Sequence, residues 1–298
     1  MKIVVKIGSN ILSEGARGIN RRRIGSITRS VVELRDMGIE VVLVSSGAIA
    51  AGMKKLGLKA RPRDVKLKQA VAAVGQSSLM ETYEKSFSGR GLHTAQILLT
   101  RDGLADREMY INAKNTILTL LSYAVVPIVN ENDSVATEEI KFGDNDQLAA
   151  LVSMLVEAER LVILSDVDGL YDSDPSSKKT AKLIPVVEDI TEDVVCLAGG
   201  SGSIVSTGGM YSKVIAAKKA VRSGITVNII NGRRPSQLVS LMKGKAHGTE
   251  FRPHKVKLTA RKGWIAYGIK AKGSIVLDKG AVKALVEHRK SLLPSGIA

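Results

Sequence analysis

Short apolar runs alternate along the chain with longer segments in which apolar residues recur every three or four positions. The runs predict strands buried on both faces, and the three-to-four spacing predicts amphipathic helices. The predicted strands cover residues 2–7, 40–44, 93–99, 125–129, 160–164 and 225–230. The predicted helices cover about 20–37, 65–87, 106–123, 146–156 and 209–222. Strands that alternate with helices predict an α/β fold, a three-layer sandwich with a mostly parallel central sheet.

The alternation ends near Gly248, and the residues after it have a different character. Trp264, Tyr267 and the apolar run 275–277 predict short strands and turns, and hence a short β-rich segment. About 45 residues are few for an independent hydrophobic core. The sequence therefore predicts one domain over residues 1–250, a linker over 251–258 and an incomplete second module over 259–298.

Small and polar residues follow four of the predicted strands directly. The four turns are Lys6-Ile7-Gly8-Ser9, Ser45-Ser46-Gly47-Ala48, Asn130-Glu131-Asn132-Asp133 and Ser165-Asp166. Because the carboxyl ends of parallel strands lie along one edge of a sheet, we expect these turns to meet there. Glycine and serine allow backbone N–H groups to approach an anion, and the start of a helix adds a favourable dipole. The pattern predicts a phosphate-binding edge.

A fifth segment places glycines before a predicted helix and a lysine in its first turns. Its residues are Thr207, Gly208, Gly209, Met210, Tyr211, Ser212 and Lys213. Phosphoryl transfer depends mainly on positioning and on cations that stabilise the transferred group. Lys6 and Lys213 supply such cations, and Asp146 would hold their ammonium groups by charge pairing. The segment therefore favours a site for a polyphosphate.

Each of these residues also has an ordinary structural explanation. Lys6 would then extend from an edge strand to solvent, and Lys213 would be a surface lysine of its helix. Asp146 would stabilise the start of a helix, while Asp144 or Asn145 would cap it. The functional interpretation depends on the turns lying together.

Several common catalytic signatures are missing from the sequence. Gly244-Lys245 is followed by Ala246, so there is no P-loop, and Gly200-Ser201-Gly202 lacks the third glycine of the dinucleotide fingerprint. Four histidines and one cysteine argue against a zinc site or a cysteine nucleophile. We predict no metal site built from protein side chains alone.

The charge is uneven along the chain. The formal net charge is +15, and residues 250–298 hold 11 basic and 3 acidic residues, a net +8. The mildly basic remainder suits a protein that handles phosphates. The single cysteine, the lack of a signal peptide and the lack of a long apolar segment predict a cytoplasmic protein with no membrane partner.

Taken together, the motifs resemble the amino acid kinase family. The resemblance includes the turns described above, Gly143-Asp144-Asn145-Asp146 and Thr207-Gly208-Gly209-Met210, and it spans about residues 1–250. The turn Ser45-Ser46-Gly47 is similar to that of the glutamate kinases, whereas the acetylglutamate kinases have a glycine-rich turn there.

The resemblance implies that the γ-phosphate of ATP is transferred, with Mg²⁺ present, to the side-chain carboxylate of L-glutamate in the first step of proline biosynthesis. It implies that Lys6 and Lys213 stabilise the phosphoryl group in flight, that Asp146 orients them, and that Ser46, Asp133 and Asn145 contact glutamate. It assigns ATP binding to Lys6, Ser165, Asp166, Thr207, Gly208, Gly209, Met210, Tyr211, Ser212 and Lys213. It also implies a homo-oligomer that proline inhibits.

The tail resembles the beginning of a PUA domain, from Lys262 to Gly296, and stops short of a complete one. An alternative hypothesis is therefore an RNA-binding protein that uses this basic tail, with the kinase-like body as a scaffold. Aromatic residues form only 3% of the chain, which argues against recognition by base stacking. Two departures from the family are Ser206, where a glycine is usual, and Ser165, where a threonine is usual.

Overall fold

The structure is a computed structural model that describes residues 1–14, 18–136, 145–199, 209–254, 260–269 and 273–297. The strands are β1 Lys2–Ile7, β2 Glu40–Ser45, β3 Thr94–Leu99, β4 Val126–Glu131, β5 Arg160–Ser165, β6 Val186–Val187, β7 Thr226–Asn231 and β8 Thr249–Phe251. The helices are α1 Ser9–Leu12, α2 Arg21–Asp36, α3 Ala48–Lys55, α4 Val65–Ser88, α5 Arg101–Ala105, α6 Arg107–Ser122, α7 Asn145–Leu155, α8 Glu192–Leu197, α9 Met210–Arg222, α10 Ser236–Met242, α11 Ala260–Tyr267 and α12 Lys279–Val286.

The eight strands form one sheet in the order β3-β4-β2-β1-β5-β7-β8-β6. Every neighbouring pair is parallel except β7 and β8, which are antiparallel. Val4 belongs to the hydrophobic cluster on one face of the sheet, whereas Ile3 and Val5 belong to the cluster on the other. All three side chains are fully buried. The three-layer α/β prediction is confirmed.

The C-terminal segment differs from its prediction. Its described residues form the helices α11 and α12, a short 3-10 helix Pro294–Gly296 and a single bridge between Leu277 and Ile297. The prediction of a β-rich segment is therefore wrong for this part of the chain. Trp264 and Tyr267 are three residues apart and share one helix face. Trp264 Nε1 donates to the carbonyl oxygen of Leu104 at 2.9 Å, and its ring lies 5.9 Å from that of Tyr110. Helical spacing therefore brings both aromatic residues onto the kinase-like body.

Helices α3 and α4 pack with their backbones almost in contact. A Cβ atom on Gly52 would lie 1.8 Å from the carbonyl oxygen of Val71, and one on Gly75 would lie 1.9 Å from that of Ala48. No other residue fits at such a distance. Because α3 begins directly after the turn at Ser46 and Gly47, this contact fixes α4 against the carboxyl edge of the sheet.

We expect Gly75→Ala to lower the free energy of unfolding by about 3 kcal/mol, because the new methyl group would force the two helices apart. Gly25→Ala is the matched control: Gly25 lies inside α2, and a methyl group added there would have no atom within 4 Å. That change should raise stability by about 0.5–1 kcal/mol through helix propensity. Urea denaturation of both variants measures the difference, and equal effects would contradict the packing argument.

None of the helices in the described part of the chain has the length and apolar character needed to span a membrane.

Candidate active site

Two lysines from distant parts of the chain meet at one buried carboxylate. Lys6, on β1, places Nζ 2.5 Å from Oδ1 of Asp146, and Lys213, on α9, places Nζ 3.1 Å from Oδ2. The exposed fractions are 4% for Lys6, 0% for Asp146 and 5% for Lys213. The arrangement rules out the solvent-exposed lysines that the ordinary explanation required. Two ammonium groups and one carboxylate carry a net charge of +1, which favours a nearby anion.

The charge state of Asp146 follows from its neighbours. Burial alone would raise the pKa of its carboxyl group, but the charges and hydrogen bonds of Lys6 and Lys213 outweigh burial and lower the pKa below its usual value. Asp146 is therefore ionised at neutral pH. A carboxylate held between two ammonium groups is a poor proton acceptor, and Asp146 contacts both cations.

The residues predicted to bind ATP lie at the end of β5 and at the start of α9. Asp166 Oδ2 accepts a hydrogen bond from Asn10 Nδ2 at 2.9 Å, and Oδ1 accepts one from Ser165 Oγ at 3.3 Å. Burial opposes ionisation of Asp166, but these bonds and the charge of Lys213 lower its pKa. Asp166 thus joins the turn after β1 to the turn after β5.

The start of α9 is held to the same site. Gly209 precedes the helix with no side-chain cap, and its carbonyl oxygen accepts from Lys213 Nζ at 3.4 Å. Gln147 Nε2 donates to the carbonyl oxygen of Ser212 at 3.1 Å, which connects α9 to α7. Met210 packs against the core, and Tyr211 is 38% exposed. The first turn of α9 thus presents backbone N–H groups beside the two lysines.

The residues predicted to contact glutamate form a second half of the site. Asn145 Nδ2 lies 2.7 Å from the carbonyl oxygen of Ser45, 3.0 Å from Ser46 Oγ and 2.9 Å from Asn130 Oδ1. The side-chain nitrogen of Asn145 therefore has its hydrogen-bond acceptors within the protein. Because Asn145 and Asp146 are consecutive, this half of the site adjoins the two lysines.

A cavity of about 330 Å³ opens over these residues. Its lining includes Ser9, Asn10, Ser46, Gly47, Lys59, Arg61, Asn130, Glu131, Asp133 and Asn145. Burial raises the pKa of Asp133 to about 6, although the charge of Arg61 acts in the opposite direction. Asp133 is therefore a carboxyl group that titrates near neutral pH in the wall of the cavity.

The structure brings together most of the residues that the sequence singled out. The cavity is lined by Ser46, Asp133 and Asn145. The residues predicted for catalysis or ATP binding lie beside it, at the ends of β1 and β5 and at the starts of α7 and α9: Lys6, Asp146, Lys213, Ser165, Asp166, Gly209, Met210, Tyr211 and Ser212. Thr207 and Gly208, assigned to ATP binding, lie outside the described residues, as do Ser206 and Asp144. The roles of all these residues stay predictions.

Three further residues belong to the site although sequence reasoning assigned them no role. Asn10 bonds Asp166, Asn130 bonds Asn145, and Arg61 lines the same cavity as Asp133 and acts on it by its charge. Asn10 and Asn130 stand in or beside the polar turns, so their position was a usable signal. Arg61 comes from the loop between α3 and α4, and nothing in its sequence surroundings indicates the site.

The two aromatic residues behind the RNA-binding hypothesis are engaged elsewhere. Trp264 packs on Tyr110, and the guanidinium of Arg107 lies 5.9 Å from its ring centroid. Tyr267 packs against the core. Both aromatic side chains thus contact the protein itself, and no observation favours RNA binding.

Comparisons with known proteins agree with this geometry. Residues 1–231 match the amino acid kinase family. The chain is 52% identical to the glutamate 5-kinase of Geobacter sulfurreducens over 296 aligned residues. The alignment covers 99% of this chain and 79% of the relative. It is 49% identical over 297 residues to the glutamate 5-kinase of Caldanaerobacter subterraneus, covering 100% and 80%.

The solved structure of UMP kinase from Bacillus anthracis superposes with a TM-score of 0.57 at 15% identity, covering 84% of this chain and 95% of that one. That likeness concerns the fold alone. The matched family spans most of the chain, and the relatives cover nearly all of it. The chain belongs to the amino acid kinase family.

Proposed function

We propose that the chain transfers the γ-phosphate of ATP to the side-chain carboxylate of L-glutamate, giving L-glutamyl 5-phosphate in the first step of proline biosynthesis. The single observation that carries the proposal is the buried Lys6–Asp146–Lys213 group beside a polar cavity. Relatives with about 50% identity over nearly the whole chain support glutamate as the acceptor.

In the reaction, a carboxylate oxygen of glutamate forms a bond to the γ-phosphorus while the bond from that phosphorus to the β,γ-bridging oxygen breaks. ADP leaves with the electron pair. The acceptor is already deprotonated at neutral pH, so no general base is needed. Charge spread over the transferred group is stabilised by Lys6 and Lys213. Asp146 acts only through them, by fixing their positions.

The polar cavity suits an amino acid that carries charges at both ends. We assign the hydroxyl of Ser46 and the side chain of Asn145 to contacts with glutamate, and Asp133 to its α-ammonium group. The ATP phosphates would lie against Lys6, Ser165, Asp166 and the first turn of α9. Thr207 and Gly208 complete this proposed ATP set.

Magnesium enters the proposal as the partner of the ATP phosphates. Within the described residues no three histidine, cysteine, aspartate or glutamate side chains are grouped to hold a metal. Mg²⁺ usually keeps several waters and binds through one or two carboxylates and the substrate phosphates, so a single carboxylate beside the phosphates is enough to hold it. We assign this contact to Asp166, where the ion would neutralise phosphate charge.

Trapping of the acyl phosphate as a hydroxamate tests the proposed function. The purified chain is incubated with ATP, magnesium and one acceptor at a time: glutamate, N-acetylglutamate, aspartate or UMP. We expect product with glutamate and none with the others. ADP release with UMP, or hydroxamate only from N-acetylglutamate, would move the chain to another branch of the family.

The KM for glutamate is expected to depend on pH through Asp133. Above pH 6 its carboxyl group is ionised and pairs with the α-ammonium group, whereas below pH 6 it is protonated and the pairing is lost. We expect the KM for glutamate to rise by up to about tenfold per pH unit below pH 6 while the KM for ATP stays constant. Asp133→Asn should have a high KM at every pH, and a variant that keeps the wild-type profile would contradict this assignment.

Several finer points rest on the family resemblance and stay proposals. They are feedback inhibition by proline, assembly into a homo-oligomer, a cytoplasmic location, and the division of the chain into a kinase domain, a linker and a partial PUA-like segment. Assembly is supported by β3, an edge strand of the sheet that exposes Leu98.

A further inference from the structure

Three hydrogen bonds fix the side-chain amide of Asn130. Its Oδ1 accepts from Asn145 Nδ2 at 2.9 Å and from the backbone N–H of Glu131 at 2.9 Å. Its Nδ2 donates to Oε1 of Gln76, on α4, at 2.9 Å. Asn130 is 2% exposed, so no water competes freely for these bonds. Each atom of the amide thus has a partner of the required kind.

The hydrogen bonds of Asn130 allow only one orientation of its amide. If the Asn130 amide were rotated by half a turn, its NH₂ group would face two other donors, on Asn145 and Glu131. The backbone N–H of Glu131 can only donate, so it fixes Asn130 Oδ1 on its side, and Gln76 Oε1 holds Asn130 Nδ2 from the other side. The orientation of Asn130 in turn places Asn145, whose Nδ2 needs an acceptor there.

Helix α4 is rigid enough to serve as the fixed end of this series of bonds. Gly75, the residue before Gln76, lies against the backbone of α3. Tyr83, seven residues after Gln76 and so on the same helix face, is fully buried and bonds Ser45 Oγ at 2.9 Å. One face of α4 therefore supports both the turn after β2 and the turn after β4.

We infer that Gln76 is a positioning residue for the glutamate side of the site. It is not among the residues that line the cavity over Ser46 and Asn145, and it acts by holding Asn130 so that Asn145 keeps its place beside Ser46. This inference rests on the proposed function for the identity of the acceptor. Helix α4, which lies outside the sequence motifs of the family, would then help to determine how the acceptor binds.

Gln76→Met tests the inference, because methionine has a similar volume and cannot accept this hydrogen bond strongly. We expect the KM for the acceptor to rise about tenfold, with the KM for ATP within twofold of the wild-type value. Ser77→Ala is the matched control: Ser77 is the next residue on α4, is exposed, and bonds only within its own helix. It should leave both constants unchanged. Equal increases in both KM values for Gln76→Met would overturn the inference.

A double-mutant cycle separates positioning from general packing. If Gln76 acts through Asn130, adding Gln76→Met to Asn130→Ala should change the acceptor KM by less than about twofold. A full tenfold effect in that background would show that Gln76 acts by another route. Asn145→Ala provides a second background should Asn130→Ala fail to fold.

The two proposals fail in different ways. The proposed function is judged on the wild-type chain and its choice of acceptor. The role of Gln76 is judged on the KM for the acceptor in each variant relative to the wild type, measured with whichever acceptor the wild-type chain phosphorylates.

Discussion

Replacing Lys213 by methionine is expected to lower kcat by about a hundredfold to a thousandfold, with little change in stability. The loss follows from removing one of two cations that stabilise charge on the transferred phosphoryl group, an effect of this size when a preorganised donor is removed. Stability should change little because Asp146 keeps Lys6 at 2.5 Å, so no buried charge is left unpaired. Steady-state kinetics and thermal unfolding measure the two quantities.

Lys218→Met is the control on the same helix. Lys218 pairs with Glu192 at 3.1 Å on the surface, outside the site. Its replacement should leave kcat within about twofold, since exposed pairs contribute little. If Lys213→Met retained wild-type turnover, the proposed role of this lysine would be wrong.

Asp146→Asn is expected to abolish turnover and also to destabilise the fold. The carboxylate is the shared partner of two buried ammonium groups, and without it they lose the negative charge that both of them contact. Breaking a buried ion pair by removing one partner costs about 3–5 kcal/mol. Lys213→Met should therefore lower turnover alone, whereas Asp146→Asn should lower both turnover and stability.

The pH dependence of stability gives a second measurement on this variant. The folded pKa of Asp146 is lowered, so its stabilising contribution is complete above the ordinary carboxyl value of about 3.9 and is lost as the pH falls through the folded pKa. The difference in unfolding free energy between wild type and Asp146→Asn should then be constant from about pH 7 to pH 5.

Added phosphate should distinguish this explanation from simple loss of packing. An anion can replace the missing negative charge, so phosphate is expected to raise the Tm of Asp146→Asn more than that of the wild type. Glu192→Gln, which removes an exposed carboxylate, should show no such difference. Equal responses of Asp146→Asn and wild type to phosphate would contradict the electrostatic account.

The sequence predicts the sheet well because its strands are buried on both faces. In β1 the continuous apolar run supplies side chains to the hydrophobic clusters on both faces of the sheet. Such a run is typical of a strand buried on both faces. The short strands β6 and β8 were missed, since two or three residues are too few for a recognisable period. Their pairing depends on the position of β7, which no local pattern encodes.

The site was predictable as a location more than as a set of contacts. Parallel strands place their carboxyl ends on one edge, so the turns at Lys6, Ser46, Asp133 and Ser165 were expected to meet. That Asn145 would bond Ser45 and Ser46, about one hundred positions earlier, depends on how α7 docks on the sheet. Arg61 and Gln76 come from helix α4 or the loop before it, to which the strand-end argument does not apply.

The docking of α11 has a practical consequence for anyone who shortens this chain. A fragment ending at residue 250 would lack Trp264 and Tyr267, and would leave the Tyr110 ring and the neighbouring core uncovered. Newly bared apolar surface of this kind promotes aggregation. A minimal fragment that stays monodisperse in solution should therefore extend at least to residue 269, past the boundary suggested by the family resemblance.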